Sequence, residues 1–540
     1  MSAVTSRSNS APANDTPRIT PATLQQWLHD GQEIALFDVR EAGQFGEAHL
    51  LFAVPLPYSR LEIDVRRLAP NPSVRLVLTD DDGRLAAQAA LRLRLLGYSA
   101  VHVLDGGQRA WVAQGYKVVA GVNVPSKAFG ELVEHECHTP SITAQALHDL
   151  QQAGKNIVIL DGRPLPEHCK MAIPGAICCP NGELPYRIAD MVPGPDTPVV
   201  IHCAGRTRSI IGAQTLLNLG IPNPVYALEN GTQGWYLNDF ELEHGSTRAY
   251  PSQVDEPSQA VRARARELAG QVGVQGIDRH RLLQFARDPK VSLFLCDVRT
   301  PEEFAAFHLP GAQHTPGGQL VQATDQYVGV RNAVLVLYDT EGVRAWVTAH
   351  WLRQLGHQAF VLVDDLSRVA NALEALPPDE SCNVTLPVIS PAELAQQKGS
   401  AAVRVVDIRA SAAYRLGHVP GAHWGIRPLL SRWSWQGVDT CVFVADEPAL
   451  AALAAMELPE GVRALQLDGS MAAWKAAGLP MASSPDVPSD KERIDYLFFV
   501  HDRHDGNKAA ARQYLAWELG LVADLDPQDR AVFSILPNTH

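Results

Sequence analysis

The stretch Val199-Val200-Ile201-His202-Cys203-Ala204-Gly205-Arg206-Thr207-Arg208-Ser209 changes character twice within eleven residues. Three β-branched residues in succession read as a buried strand. Ala204 and Gly205 read as a tight loop, and beyond them an Ala/Leu-rich segment of helical period runs to Gly220, where a glycine is the preferred stop. Cys203 therefore falls where a buried parallel strand ends and a helix begins. In open α/β sheets that junction, outside the carboxyl ends of the strands, is where ligands bind.

The same unit is written four times. An Asp-x-Arg triplet follows a short apolar run at Asp38-Val39-Arg40, Asp161-Gly162-Arg163, Asp297-Val298-Arg299 and Asp407-Ile408-Arg409. Eleven residues after the aspartate stand His49, His308 and His418, with Ala172 in the second copy. Gly175, Gly311 and Gly421 follow at fourteen, each before an alanine, whereas the first copy has Phe52-Ala53. A second apolar strand then leads into a loop and helix. Loop start to terminal glycine spans 17 residues from Asp80 to Gly97, Cys203 to Gly220 and Asp339 to Gly356, and 15 from Asp446 to Gly461, which predicts a shortened last helix. Gly107, Gly231 and Ser470 each precede a tryptophan by four (Trp111, Trp235, Trp474), while the third copy reads Asp364-Asp365-Leu366-Ser367 instead. Fixed spacings at several landmarks mark a true repeat.

Strands alternating with helices of about three turns predict an α/β fold: four tandem domains, each a parallel sheet flanked by helices on both faces. The expected division is a disordered lead-in (1–16), units at 17–125, 138–246, 271–378 and 386–484, a linker (247–270), and a C-terminal tail (485–540). The tail carries Tyr496-Leu497-Phe498-Phe499-Val500 and a helical pattern from Asn507 to about Leu521, expected to pack on a neighbouring domain.

Composition narrows the function. A net charge of −13 and a pI near 5.8 argue against nucleic-acid binding. No run approaches the roughly 18 apolar residues of a membrane span, and the N-terminus has no secretory h-region. Eight cysteines in 540 residues without zinc-type spacing point to a reducing, cytoplasmic setting. With neither a phosphate loop nor a metal-ligand cluster, no cofactor is expected.

The chemistry gathers at Cys203. Ala204 and Gly205 let successive N–H groups turn inward as an anion nest, the helix N-terminus adds positive potential, and Arg206 and Arg208 add two full charges. All favour thiolate, the nucleophilic form. A merely buried cysteine beside surface arginines is the plain alternative, and the strand–loop–helix context argues against it. Asp161 and Arg163 are expected as a structural ion pair near the site, and His202 as a hydrogen-bonded core histidine. Cys169 is placed to approach Cys203 as a resolving thiol, though simple packing is the commoner fate of such a residue, as for Cys137, Cys178, Cys179, Cys296, Cys382 and Cys441. Trp235, at a repeated position, reads as core.

The Asp-x-Arg, His-x-Pro-Gly-Ala, cysteine-loop and Gly…Trp elements together resemble rhodanese homology domains over roughly residues 17–484. The resemblance implies the rhodanese fold and a loop cysteine that becomes persulfidated. On that analogy Cys203 takes the outer sulfur of thiosulfate or a similar small anionic donor, sulfite departs, and cyanide, a thiol or a protein acceptor removes the sulfur. Backbone N–H groups of Ala204, Gly205, Arg206, Thr207 and Arg208 would stabilise the persulfide, and Arg206 and Arg208 would hold the donor. Asp80, Asp339 and Asp446 replace the cysteine elsewhere, so those units read as non-catalytic, with Asp80-Asp81-Asp82 hostile to anions. Two-domain rhodaneses have a similar plan, an inactive first domain before an active second. Animal thiosulfate sulfurtransferases carry a substrate-binding arginine where this chain has Glu167, which leaves room for a persulfide donor. Phosphatases and arsenate reductases of the same fold are the enzyme rival. Four residues separate Cys203 from Arg208, one fewer than such phosphatase loops hold, and the smaller cradle suits a single sulfur. A non-enzymatic scaffold is the third reading, against which the intact Cys203 loop stands.

Overall fold

A computed structural model describes residues 16–252, 257–374, 385–397, 400–498 and 506–537. The lead-in (apart from Thr16), Cys382 and Phe499-Val500 lie outside the described residues. Four sheets stand in the molecule, each with five parallel strands in the same spatial order, and the first carries a sixth. In the second unit this order is Ser141–Ile142, Val225–Leu228, Val199–His202, Val158–Asp161 and Ile177–Cys178, all pairs parallel. Every residue of the two central strands, Val158–Asp161 and Val199–His202, is buried, as strands covered on both faces must be. Their register pairs Asp161 with His202, so the Asp-x-Arg turn and the cysteine loop emerge side by side at one sheet end.

The helix after each loop follows the spacing read from sequence. Arg84–Leu95, Thr207–Leu219 and Arg344–Gln354 are 12, 13 and 11 residues long, whereas Pro448–Ala455 is shortened to 8. The glycine four before tryptophan has a steric reason. Gly231 has φ +50°, and a Cβ there would lie 2.2 Å from the Cys203 carbonyl oxygen. The turn must come this close because Thr232 N–H donates to Cys203 O (2.8 Å) and Gln233 N–H to Ala204 O (3.1 Å), clamping the loop. The tryptophans are core: Trp235 is 2% exposed, and Trp111, Trp235 and Trp474 each donate to a carbonyl six residues on.

The units are not beads on a string. Val330–Arg331 of the third unit adds an antiparallel strand to the first sheet, pairing Val330 with Ala35 and Arg331 with Ile34. Cores of the first and third units merge into one apolar cluster that also takes in Ile210 and Ile211 of the second. Arg344 of the third unit, fully buried, reaches Glu183 of the second at 2.9 Å. The fourth unit keeps its own apolar clusters and meets the first through ions, Arg427 lying 2.6 and 2.9 Å from the Glu62 oxygens.

Two helices outside the repeats bear on the cysteine loop. Val124–Cys137 fills the gap between the first two units, where the sequence reading assigned no element. The tail turns back over the first unit, where Gly43 N–H donates to Ile494 O. Its helix Lys508–Asp524 then packs on Val124–Cys137, on Gly231–Leu237 and, through Leu521, on the first unit's core, rather than on the adjacent fourth unit. No helix among the described residues is long and apolar enough to cross a membrane.

Candidate active site

Cys203 is 3% exposed and ends the buried strand, its Sγ accepting a hydrogen bond from Ser209 Oγ at 3.2 Å. It opens onto a cavity of about 320 Å3 with walls from four parts of the chain. Residues 203–208 form the floor; Asn123 and Lys127, the third unit's Gln319 and Gln322, and the tail's Tyr514 and Glu518 complete it. Val122 and Asn123 bring the end of the first unit to the rim, but the third unit and the tail contribute more.

The loop arginines depart from the sequence reading, which gave each a free charge. Arg206 turns to helix Val124–Cys137 and pairs with both oxygens of Glu131 at 2.8 and 3.0 Å, and with Glu134. Arg208 forms a bidentate pair with Glu167 at 2.7 and 2.8 Å, and also donates to Gln319. Burial opposes the Glu167 charge, yet Arg208 holds the carboxyl below its ordinary range. Fork-to-fork contacts of this kind fix the guanidinium plane and cancel its field. The glutamate that departs from the family's arginine is thus the partner of a loop arginine.

Asp161 and Arg163 form a buried bidentate pair, Nε at 2.8 Å and an Nη at 2.6 Å, next to the loop. His168, absent from the sequence reading, completes it: Nδ1 lies 2.9 Å from Asp161 Oδ2 and Nε2 3.1 Å from Ser246 Oγ. Burial alone would raise the Asp161 carboxyl, but His202, Arg163 and His168 outweigh it and hold the group far below the carboxylate range. In the other units the histidine eleven after the aspartate stacks on an aromatic four residues earlier, as in Phe45–His49, Phe304–His308 and Tyr414–His418. The second unit has Ala172 in place of that histidine and His168 in place of the aromatic. Moving the imidazole by one turn aims it at the aspartate. His202 is fully buried, and burial lowers it to about 4, so it is neutral near pH 7. Cys169 does not line the cavity; it lies near Cys178, whose thiol burial pushes up to about 12.

In the first and third loops the residue replacing cysteine folds into its own nest. Asp80 accepts from the N–H groups of Asp82, Gly83, Leu85 and Ala86. Asp339 accepts from Gly342, Val343 and Ala345, each at 2.9 Å. The first loop, expected to be hostile to anions, holds its own carboxylate where an anion would sit. Asp446 accepts from Ser470 Oγ at 2.7 Å in the shortened fourth loop. No group of three or more His, Cys, Asp or Glu among the described residues is arranged to hold a metal ion.

Glu518 was also missed. It is 2% exposed, accepts from Thr207 Oγ1 at 3.2 Å, and its other oxygen comes within 2.8 Å of where a Cβ on Gly205 would stand. No local pattern marks a residue more than 300 positions from the loop it touches.

Comparison with known proteins agrees with this architecture. The rhodanese-like domain matches residues 20–114, 143–238, 278–372 and 390–477. A crystal structure of a thiosulfate sulfurtransferase from Pseudomonas aeruginosa is 42% identical, superposes with a TM-score of 0.88, and covers 96% of this chain and 100% of its own. A probable adenylyltransferase/sulfurtransferase, MoeZ of Mycobacterium tuberculosis, is 37% identical over 98 residues, 18% of this chain and 24% of that protein. An uncharacterized Synechocystis protein is 34% identical over 107 residues, 20% of this chain and 58% of its own length, so matches to these two are partial on both sides. Four matched segments spanning most of the chain, on four sheets of one topology, make this protein a member of the rhodanese-like domain family, with the domain present four times.

Proposed function

We propose that the protein is a sulfurtransferase in which Cys203 alone among the four loops carries sulfane sulfur, taken from thiosulfate or a similar donor and passed to cyanide or a thiol. The observation that carries this is the position of Cys203 Sγ, at a strand end, bonded by Ser209 and opening on a cavity. The sister loops support it. By alignment of the repeats, the N–H groups that hold the Asp80 carboxylate correspond to those of Gly205, Arg206, Arg208 and Ser209. The same peptide groups would face the terminal sulfur of a Cys203 persulfide, which is an anion of comparable reach. Similarity to the thiosulfate sulfurtransferase of Pseudomonas aeruginosa favours thiosulfate as donor.

The test is intact mass after incubation with thiosulfate. One added sulfur, absent in Cys203→Ser and removed by cyanide, is the expected result. No added sulfur would exclude thiosulfate and turn attention to persulfide donors.

A further inference from the structure

Carboxylates already match both loop arginines, so neither offers a free charge to an anionic donor. Lys127 is different. It belongs to helix Val124–Cys137, outside the matched domain segments, and is 4% exposed. Among the described residues no carboxylate comes within 4.0 Å of its Nζ. Its close neighbours are rings, with Nζ 5.1 Å from the centroid of Tyr514 and 4.8 Å from that of Trp517. Burial pushes the nearby Asp325 carboxyl up to about 6 against the pull of Lys127, yet Asp325 stands beyond ion-pair distance and lines a different cavity. The surface that Lys127 retains opens into the Cys203 cavity.

A cation buried against ring faces and in ion-pair contact with no carboxylate, although Glu518 lines the same cavity, is a seat for an anion. We propose that Lys127 binds the anionic end of the sulfur donor, an assignment that rests on Cys203 as the acceptor of sulfane sulfur. In that step the Cys203 thiolate attacks the outer sulfur of the thiosulfate. A new S–S bond forms as the donor's own S–S bond breaks, sulfite leaves with the electron pair, and the persulfide keeps the thiolate's charge. The sulfonate end is negative throughout and gains charge as sulfite forms, so Lys127 both binds the donor and receives the leaving sulfite. Gln319 and Gln322 line the same cavity and can add neutral N–H donors. The donor seat is then built by a helix outside the repeat and roofed by the tail's rings, which accounts for a catalytic unit embedded in a longer chain.

The experiment removes the chemistry and reads binding. Thiosulfate is titrated by calorimetry into full-length Cys203→Ser, alone and combined with Lys127→Met or Lys127→Arg. Methionine keeps the length and packing of the side chain, and arginine keeps the charge. The expected result is a loss of affinity of about tenfold or more in Lys127→Met, with Lys127→Arg within about threefold of the parent. An unchanged affinity in Lys127→Met would overturn the assignment, as would an equal loss in both variants, which would show that packing and not charge matters. Absence of thiosulfate binding in the parent would overturn it too. Sulfur uptake by the wild-type protein, read separately by mass, tells that outcome apart from failure of the functional reading itself.

Discussion

Replacing Asp80 by alanine empties a nest that the fold has already shaped, and its cost can be worked from the structure. The carboxylate accepts from four backbone N–H groups at the start of helix Arg84–Leu95 and is 4% exposed. Loss of a helix-capping acceptor costs about 1–2 kcal/mol. Loss of a negative charge at the positive end of the helix dipole adds roughly 0.3–1 kcal/mol. The expected destabilisation is therefore about 1–3 kcal/mol, toward the lower end where water replaces part of what is removed. The vacated N–H groups then bind an anion, and sulfate at roughly a hundred times its dissociation constant returns about 2.7 kcal/mol. Thermal unfolding with and without sulfate, beside hydrogen exchange of residues 80–97, reads both effects. The variant should exchange faster in that segment and regain protection in sulfate, by more than the wild-type protein does. Full stability in Asp80→Ala, or a loss that sulfate leaves untouched, would refute the view that the degenerate loops are nests closed by their own carboxylates.

Acid should act on the fold through its buried histidines. Burial lowers His49 to about 3, and His202 and His350 to about 4, so below pH 6.5 the unfolded chain binds protons that the native one refuses. Buried carboxyls raised to about 7 at Glu41 and Glu131 pull the opposite way, so the test is a difference: His49→Phe should remove up to roughly 1.4 kcal/mol per pH unit of acid destabilisation between pH 6.5 and about 4, read by urea unfolding beside the wild-type protein, and an unchanged pH slope would contradict this. Glu131→Gln breaks a buried bidentate pair but leaves Glu134 beside the Arg206 charge, and should cost about 1–3 kcal/mol, measurable as a lower Tm; the double variant Glu131→Gln/Arg206→Met should recover part of it. His168→Ala removes a partner of the buried Asp161 carboxylate and should destabilise by about 1–3 kcal/mol, more than the same change at exposed His135, when the two are compared by urea denaturation.

What the sequence disclosed was local. The Asp-x-Arg turn, the cysteine loop and the Gly…Trp ending are each built from neighbours in the chain, and their spacings carry the geometry directly. Gly231 shows why: only a residue without Cβ can lie against the Cys203 carbonyl. The helix at Val124–Cys137 stayed hidden because it lies between repeats, although Val124, Ala128, Phe129, Leu132 and Val133 have helical period. The electrostatics were misjudged for a related reason. Arg206 and Arg208 look like free charges in the loop, and their partners Glu131 and Glu167 lie 75 and 41 residues away. Ala172 was visible as a missing histidine, but its reappearance as His168 needed the aspartate it faces. Glu518 and Tyr514 depend on the tail crossing the molecule, which no spacing encodes.

The two-residue strand Val330–Arg331 has a consequence for how the chain is made. The edge of the first sheet at Ile34 and Ala35 finds this partner only after nearly three hundred further residues have been synthesised. Until then a buried, apolar strand presents unpaired peptide groups on the nascent chain, the circumstance in which neighbouring polypeptides pair wrongly. A fragment ending near residue 125 would keep that raw edge permanently. The first unit is thus a sequence repeat whose sheet is completed by another repeat, and excising it should yield material prone to associate through that strand.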